Sequence, residues 1–349
     1  MKTENMMKTG RHPLTSRPLR ALGTAGAAVA LTLCAALIAA LITGTLSSCD
    51  HKTFCDPEPA VSKVHVVFDW RKAPGAAVTG MSLYLYPTAG GEMLRYDFDN
   101  ALGGVVEIPP GNYRALFLNN DTETTLLRGT DAYGTFEAYT RPSYLLEPLG
   151  IQSSPAEANP TGEEVALPTD PVWGGRDGAV EVPAAKAVGE GAYDHQLTFY
   201  PERETSRYTV EVRNAENLRY VSALSFSLSG LSGSMALASD ARSPLRTTIP
   251  FEGRTNADAG TATGHFHAFG LPSSGNKLRT LVIYVIMTDG SKQFYSFDVS
   301  GQVNDAPDPL NVRIVIDGLK LPHPIVEPGG GGFQPSVDDW VGETIEMEM

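Results

Sequence analysis

The sequence predicts an all-β protein of two tandem β-sandwiches, and three observations carry that expectation. Short segments in which Val, Ile, Leu, Phe and Tyr alternate with polar residues recur through most of the chain. Clusters of Gly, Pro, Asn and Asp, residues with backbone reasons to turn, separate them. Only residues 215–220 read as a brief helical turn, and the length suits two sandwiches of moderate size better than one.

The amino-terminal segment comes before any strand. Lys2, Lys8, Arg11, Arg17 and Arg20 precede an uncharged apolar run over 21–46, the layout of a secretory signal. The run ends in Leu46, Ser47, Ser48 and Cys49, which resembles the bacterial lipobox: an apolar residue, two small residues, and the cysteine that receives diacylglycerol before cleavage. The expected division is therefore a signal peptide over 1–48 and a leader over 49–60 that follows a lipidated Cys49. An uncleaved transmembrane anchor is the alternative, because the run is longer than an ordinary signal core. Either way the remainder lies outside the cytoplasm. Cys34 leaves with the signal and Cys49 carries lipid, so Cys55 is the one remaining thiol and no internal disulfide is expected.

Strands follow in order. Over 63–70, Val64, Val66, Phe68 and Trp70 alternate with Lys63, His65, Val67 and Asp69, so one face is buried. Residues 81–86 repeat the pattern, with Met81, Leu83 and Leu85 opposite Ser82, Tyr84 and Tyr86. Further strands are expected at 93–98, 104–108, 113–118 and 135–139. Residues 152–191 turn to Pro, Gly, Ala and Glu and read as a linker with short pairing segments around Val165 and Val172. A second set is expected at 196–200, 208–213, 223–228, 247–251, 264–269, 280–287, 293–299 and 311–316. The segment 280–287, TLVIYVIM, is apolar on both faces and marks a central strand. The expected domains are 61–190, including the linker, and 191–322, followed by a Gly-rich tail over 323–349.

Charge limits the partners. The whole chain has 27 Lys and Arg against 40 Asp and Glu, a net −13. Residues 1–48 hold five basic residues and one acid, so the mature chain has 22 against 39, a net −17. Such a body repels nucleic acid and anionic headgroups, which excludes nucleic-acid binding and leaves membrane attachment to acyl chains. No HExxH, GxSxG, GxxxxGK[ST] or CxxC is present, so neither a cofactor nor a catalytic site is expected. His265 and His267 share one strand face but lack nameable further ligands for a metal, and read as polar-face histidines beside an acidic surface. Asp97, Asp99 and Asn100 begin like a calcium loop that Ala101 and Leu102 interrupt.

The lipobox, the strand near Val64, the block SFSLSGLSGSMALAS at 225–239 and the ending GGGGFQPSVDDWVGETIEM together resemble a family of Bacteroidales surface lipoproteins, the fimbrillin-like and fimbrial-anchor type. The resemblance implies tandem transthyretin-like sandwiches, a place on the outer membrane facing outward, and a non-enzymatic role as adhesin or fimbrial anchor. Asp50 directly after the cysteine is an inner-membrane retention signal in some bacteria, so the outer-membrane expectation rests on the resemblance alone. Fimbrial subunits join when an extended segment of one completes the sheet of another. The tail carries Phe333, Val337, Trp340, Val341 and Ile345 among acids after a flexible GGGG, which makes it a candidate partner-binding segment; folding back onto its own domain is the alternative. A glycan-binding role is the competing function, with Tyr84, Tyr86 and Trp173 as the candidate aromatic platform.

Overall fold

A computed structural model describes residues 61–143, 162–185, 193–324 and 341–345, the last as backbone only. In the first half the strands are β1 (Ser62–Phe68), β2 (Met81–Pro87), β3 (Leu94–Phe98), β4 (Gly103–Ile108), β5 (Gly111–Asn119), β6 (Thr125–Arg128), β7 (Glu137–Thr140), β8 (Glu164–Val165), β9 (Trp173–Val182), β10 (His195–Phe199) and β11 (Glu202–Arg203). The second half contributes β12 (Ser206–Glu216), β13 (Val221–Ser232), β14 (Ser234–Ala236), β15 (Ala241–Arg242), β16 (Arg246–Glu252), β17 (Arg254–Asn256), β18 (Thr261–Ala268), β19 (Thr280–Met287), β20 (Lys292–Asp298), β21 (Asn311–Lys320) and β22 (Val341–Ile345). The molecule is all-β, as its sequence predicts. The expected helical turn is a 3-10 turn at Leu218–Tyr220; among the described residues, 3-10 turns at Trp70–Lys72 and Tyr133–Thr135 and a short α-helix, Ser300–Asn304, were not expected.

Two pairs of facing sheets make the main cores. A three-stranded sheet, β10-β1-β4, lies against a five-stranded one, β11-β9-β5-β2-β3. Val64, Val66 and Phe68 of β1 meet Met81, Leu83 and Leu85 of β2 and Phe117 of β5 between them. A four-stranded sheet, β17-β18-β12-β21, faces a six-stranded one, β22-β20-β19-β13-β16-β8. Val210, Phe266 and Ile314 from the first meet Phe226, Phe251 and Ile283 from the second. β19 lies inside the six-stranded sheet and is buried almost throughout, as TLVIYVIM predicts. At roughly 25 cal/mol per Å² of apolar surface withdrawn from water, these interiors supply the main drive to fold.

A small sheet, β15-β14-β7-β6, joins the halves, since β7 pairs with β14 from far along the chain. Phe136, Met235 and Leu237 pack there against Tyr84, Tyr86, Leu116 and Leu118. This third core corrects the one-face reading of 81–86. The residues of β2 from Met81 to Tyr86 are all buried, because its second face meets this small sheet and never reaches water. Tyr84 packs edge-on to Phe136 with centroids 4.9 Å apart, and the Tyr86 hydroxyl donates to the Thr130 carbonyl at 2.7 Å.

The expected linker and domain boundary also change. Where a short pairing segment was expected around Val172, β9 runs for ten residues and pairs with β5 along its length. Its glycines mark close approach: a Cβ on Gly174 would lie 2.4 Å from the Phe117 carbonyl oxygen, and one on Gly175 2.9 Å from the Phe117 ring. The boundary expected at 190/191 does not separate the sheets, because β10 and β11 lie beyond it yet pair with β1 and β9. Segments 1–48 and 49–60 lie outside the described residues.

Candidate functional site

Two edges of the second sandwich position the candidate site. On one, β22 adds in parallel to β20, with Gln293 opposite Val341 and Phe297 opposite Ile345. The tail segment thus folds back onto its own sheet and completes an edge through main-chain hydrogen bonds, which hold an extended segment whatever its side chains. Val341 and Ile345 are the ends of that strand; Phe333, Val337 and Trp340 lie outside the described residues.

The opposite edge is only partly closed. β8 covers β16 at Thr247 and Thr248, and the Ala166 N–H donates to the Thr248 carbonyl at 3.1 Å. The chain then crosses through Leu167 and Pro168 to β18, where the Thr169 N–H donates to the His267 carbonyl at 2.9 Å. β17 covers the same edge of β18 only at Thr261–Thr263. Backbone direction alternates along a strand, so the His265 N–H and carbonyl point the same way as the His267 carbonyl, and the Pro250 carbonyl the same way as that of Thr248. Among the described residues no backbone group pairs with His265 on that side.

Between β16 and β18 lies a groove of about 660 Å³. Its floor is Phe251 and Phe266, whose rings stack at 4.4 Å and 29°, and Leu167, Pro168, Pro171 and Pro250 form its apolar walls. Gly264 lets the two strands converge, since a Cβ there would lie 2.8 Å from the Glu252 carbonyl oxygen and 2.9 Å from two phenyl rings. His265, His267, Arg254 and Glu252 line the rim.

The rim carries charges of both signs, Arg254 and Glu252, beside the two histidines. Burial and then Arg203, Arg207 and His265 push the His267 imidazole down to about 4. The histidines share a face as expected, but the expected acidic surroundings are corrected: β12 sets Arg207 opposite His267. Nearby Asp170 is ionised, and its charge opposes that downward push on His267. Burial works against its ionisation, yet the N–H groups of Thr125, Thr124 and Glu123, at 2.7 to 3.0 Å, and the Thr124 hydroxyl hold it below the ordinary carboxylate range.

The other sequence-predicted residues sit apart from this groove. Leu46, Ser47, Ser48 and Cys49 lie outside the described residues. Tyr84 and Tyr86 are 1% and 5% exposed and present no ring face to a sugar, which corrects the aromatic platform. Trp173 is half-buried in β9, separated from β2 by β5, with the Arg203 guanidinium 6.0 Å from its ring centroid. Asn100 caps a turn by accepting from the N–H groups of Leu102 and Gly103, and Asp97 pairs with Arg95 at 3.0 Å, so the calcium-like start is turn chemistry. Sequence reasoning missed the groove, although Pro250 inside a strand is an edge signal.

A second cavity of about 280 Å³ opens between β9 and β10, lined by Tyr200, Lys72, Arg176, Asp177, Glu202 and Glu204 among others. Burial, followed by the Asp240 carboxylate, pushes Glu204 up to about 7 against the pull of Arg176 and Arg242. No helix among the described residues is long and apolar enough to cross a membrane.

Facing sheets, a tail strand added at one edge and an open groove at the other define a β-sandwich protein. The chain belongs to the family described as a domain of unknown function, DUF5119, whose pattern matches residues 48–252. It is 24% identical over 336 residues, 87% of this chain and 95% of the relative, to a Bacteroides ovatus protein provisionally named fimbrium anchoring subunit Fim4B. A crystal structure of a provisionally named adhesin from Bacteroides ovatus aligns over 76% of this chain and 94% of its own, with a TM-score of 0.55 and 22% identity, and shows the shared fold. The fimbrial anchor protein Mfa2 of Porphyromonas gingivalis aligns more loosely, over 73% of this chain and 90% of its own, with a TM-score of 0.44 and 16% identity.

Proposed function

We propose that this chain is a non-enzymatic fimbrial anchor or assembly subunit, held at the outer membrane and facing outward through lipid on Cys49, and that it engages fimbrial partners by strand addition. The observation that carries the reading is β22 on β20: a segment distant in sequence completes a sheet edge by main-chain pairing. The likeness to Fim4B along nearly its whole length supports the anchoring role. The lipobox and the acidic body agree with it, since acyl chains hold a protein at a membrane by burial of methylene groups and need no basic patch.

Intact-mass analysis of the membrane-extracted protein tests the anchor. The expected mass is that of residues 49–349 plus acyl chains, and Cys49→Ala is expected to leave the leader attached. A wild-type mass that retains residues 1–48 would overturn the lipid anchor.

A further inference from the structure

We infer that the cavity between β9 and β10 binds one residue of a neutral sugar, at a site separate from the sheet edges of the second sandwich and independent of the anchor reading. The cavity opens on the seam where the edges of the two sheets of the first sandwich come together, because β11 covers β9 only at Trp173 and Gly174. Its volume of about 280 Å³ lies just under the roughly 300–1,000 Å³ of sites that enclose larger organic ligands, so it suits a single ring. The buried side chain of Glu204 is the feature that points to a ligand. Glu204 is 6% exposed and lines the cavity, yet among the described residues no hydrogen bond reaches its carboxyl oxygens; only its main-chain groups are bonded, to the Val172 carbonyl and the Arg242 guanidinium. A buried polar group without a partner in the protein calls for one from outside it. Burial and then Asp240 raise this carboxyl to about 7 against Arg176 and Arg242, so near neutral pH it serves both as donor and as acceptor, and a ligand hydroxyl answers either form.

A water molecule would satisfy that carboxyl alone, but the rest of the wall suits a ring that carries several hydroxyl groups. The basic side chains of the wall are paired, Lys72 with Glu202 and Arg176 with Asp240 at 3.5 Å, so they have little to offer an anion. A cation gains little as well, since Arg176 and Arg242 already face the Glu204 carboxyl. Hydrogen-bonding capacity remains. Asp177 accepts the Ala179 N–H through one carboxylate oxygen at 3.0 Å and keeps the other, and Thr198 accepts from the Gln196 amide at 3.2 Å and keeps its own O–H to donate. Beside these polar groups stands an aromatic wall, with Tyr200 39% exposed at the mouth and the buried rings of Phe199 and Phe117 5.0 Å apart within. A sugar has the same division, hydroxyl groups around its edge and C–H bonds on its faces, and the two kinds of wall match the two kinds of surface.

The test titrates the mature, detergent-extracted protein with glucose, galactose, mannose, fucose and N-acetylglucosamine by calorimetry. Saturable binding of at least one of them is expected, with a dissociation constant on the order of 1 mM for so small a ligand. Glu204→Met keeps the shape of the side chain and removes both oxygens, and is expected to weaken that binding about tenfold, whereas Glu204→Gln keeps a donor and an acceptor and is expected to retain it within about twofold. Asp177→Ala, at an exposed position, is expected to weaken it about fivefold, roughly the worth of one hydrogen bond. The absence of saturable binding by any of these sugars would overturn the inference. Binding that Glu204→Met and Asp177→Ala both leave unchanged would place the sugar elsewhere and overturn this cavity as its site. Glycerol bound as tightly as the best sugar would show that any polyol fits, and would overturn the assignment to a sugar. Spermidine that displaces the sugar and fails to bind the Glu204→Gln protein would make the ligand a cation and overturn its neutrality.

Discussion

Glu204 and His267 show how single residues carry the pH response of this fold. The Glu204 carboxyl, 6% exposed, is pushed up to about 7, so the folded state holds a proton that the unfolded chain releases near 4.5. Its favourable contribution is complete below about pH 4.5 and is lost as pH rises through 7, a loss of about 3 kcal/mol. Glu204→Gln is therefore expected to raise the melting temperature at pH 8 and to leave it unchanged at pH 4. Equal effects at both pH values would contradict the assignment. His267 acts with the opposite sign: an imidazole held down to about 4 loses stability as pH falls from about 6.5. Neither shift was legible in the sequence, because each depends first on burial and then on neighbouring charges that only the fold brings near.

Among the elements, those with one wet face were the most legible. The alternation in β1 named its buried Val64, Val66 and Phe68, and the unbroken apolar run named β19 as central with its bounds intact. β2 misled because Tyr84 and Tyr86 carry hydroxyls that suggest a solvent face, whereas the small sheet covers their rings. β9 misled because glycine reads as flexibility in a sequence and here serves close packing. That distinction is measurable. Gly174→Ala is expected to cost about 1–3 kcal/mol, because its Cβ would meet the backbone of Phe117 and Leu118. Gly178→Ala, in the same strand with nothing within 4 Å, is expected to be neutral or slightly stabilising in urea unfolding. The candidate groove escaped a linear reading because it forms only where β16 and β18, from two different sheets, approach at Gly264 and the chain crosses between them at Leu167 and Pro168.

At the scale of the molecule, charge, signal and sheet edges point to one role. The sequence supplies the acidic body and an amino-terminal segment laid out like a secretory signal, and the fold supplies a completed edge at β20 and an open one between β16 and β18. The six-stranded sheet links them, with β22 at one end and β8 beside β16 at the other. The most direct test counts fimbriae on cells and in the medium for wild type and Cys49→Ala. The account predicts that Cys49→Ala moves fimbriae from the cell surface into the medium at unchanged total amount. Fimbriae that stay on the Cys49→Ala cells in wild-type number would contradict it.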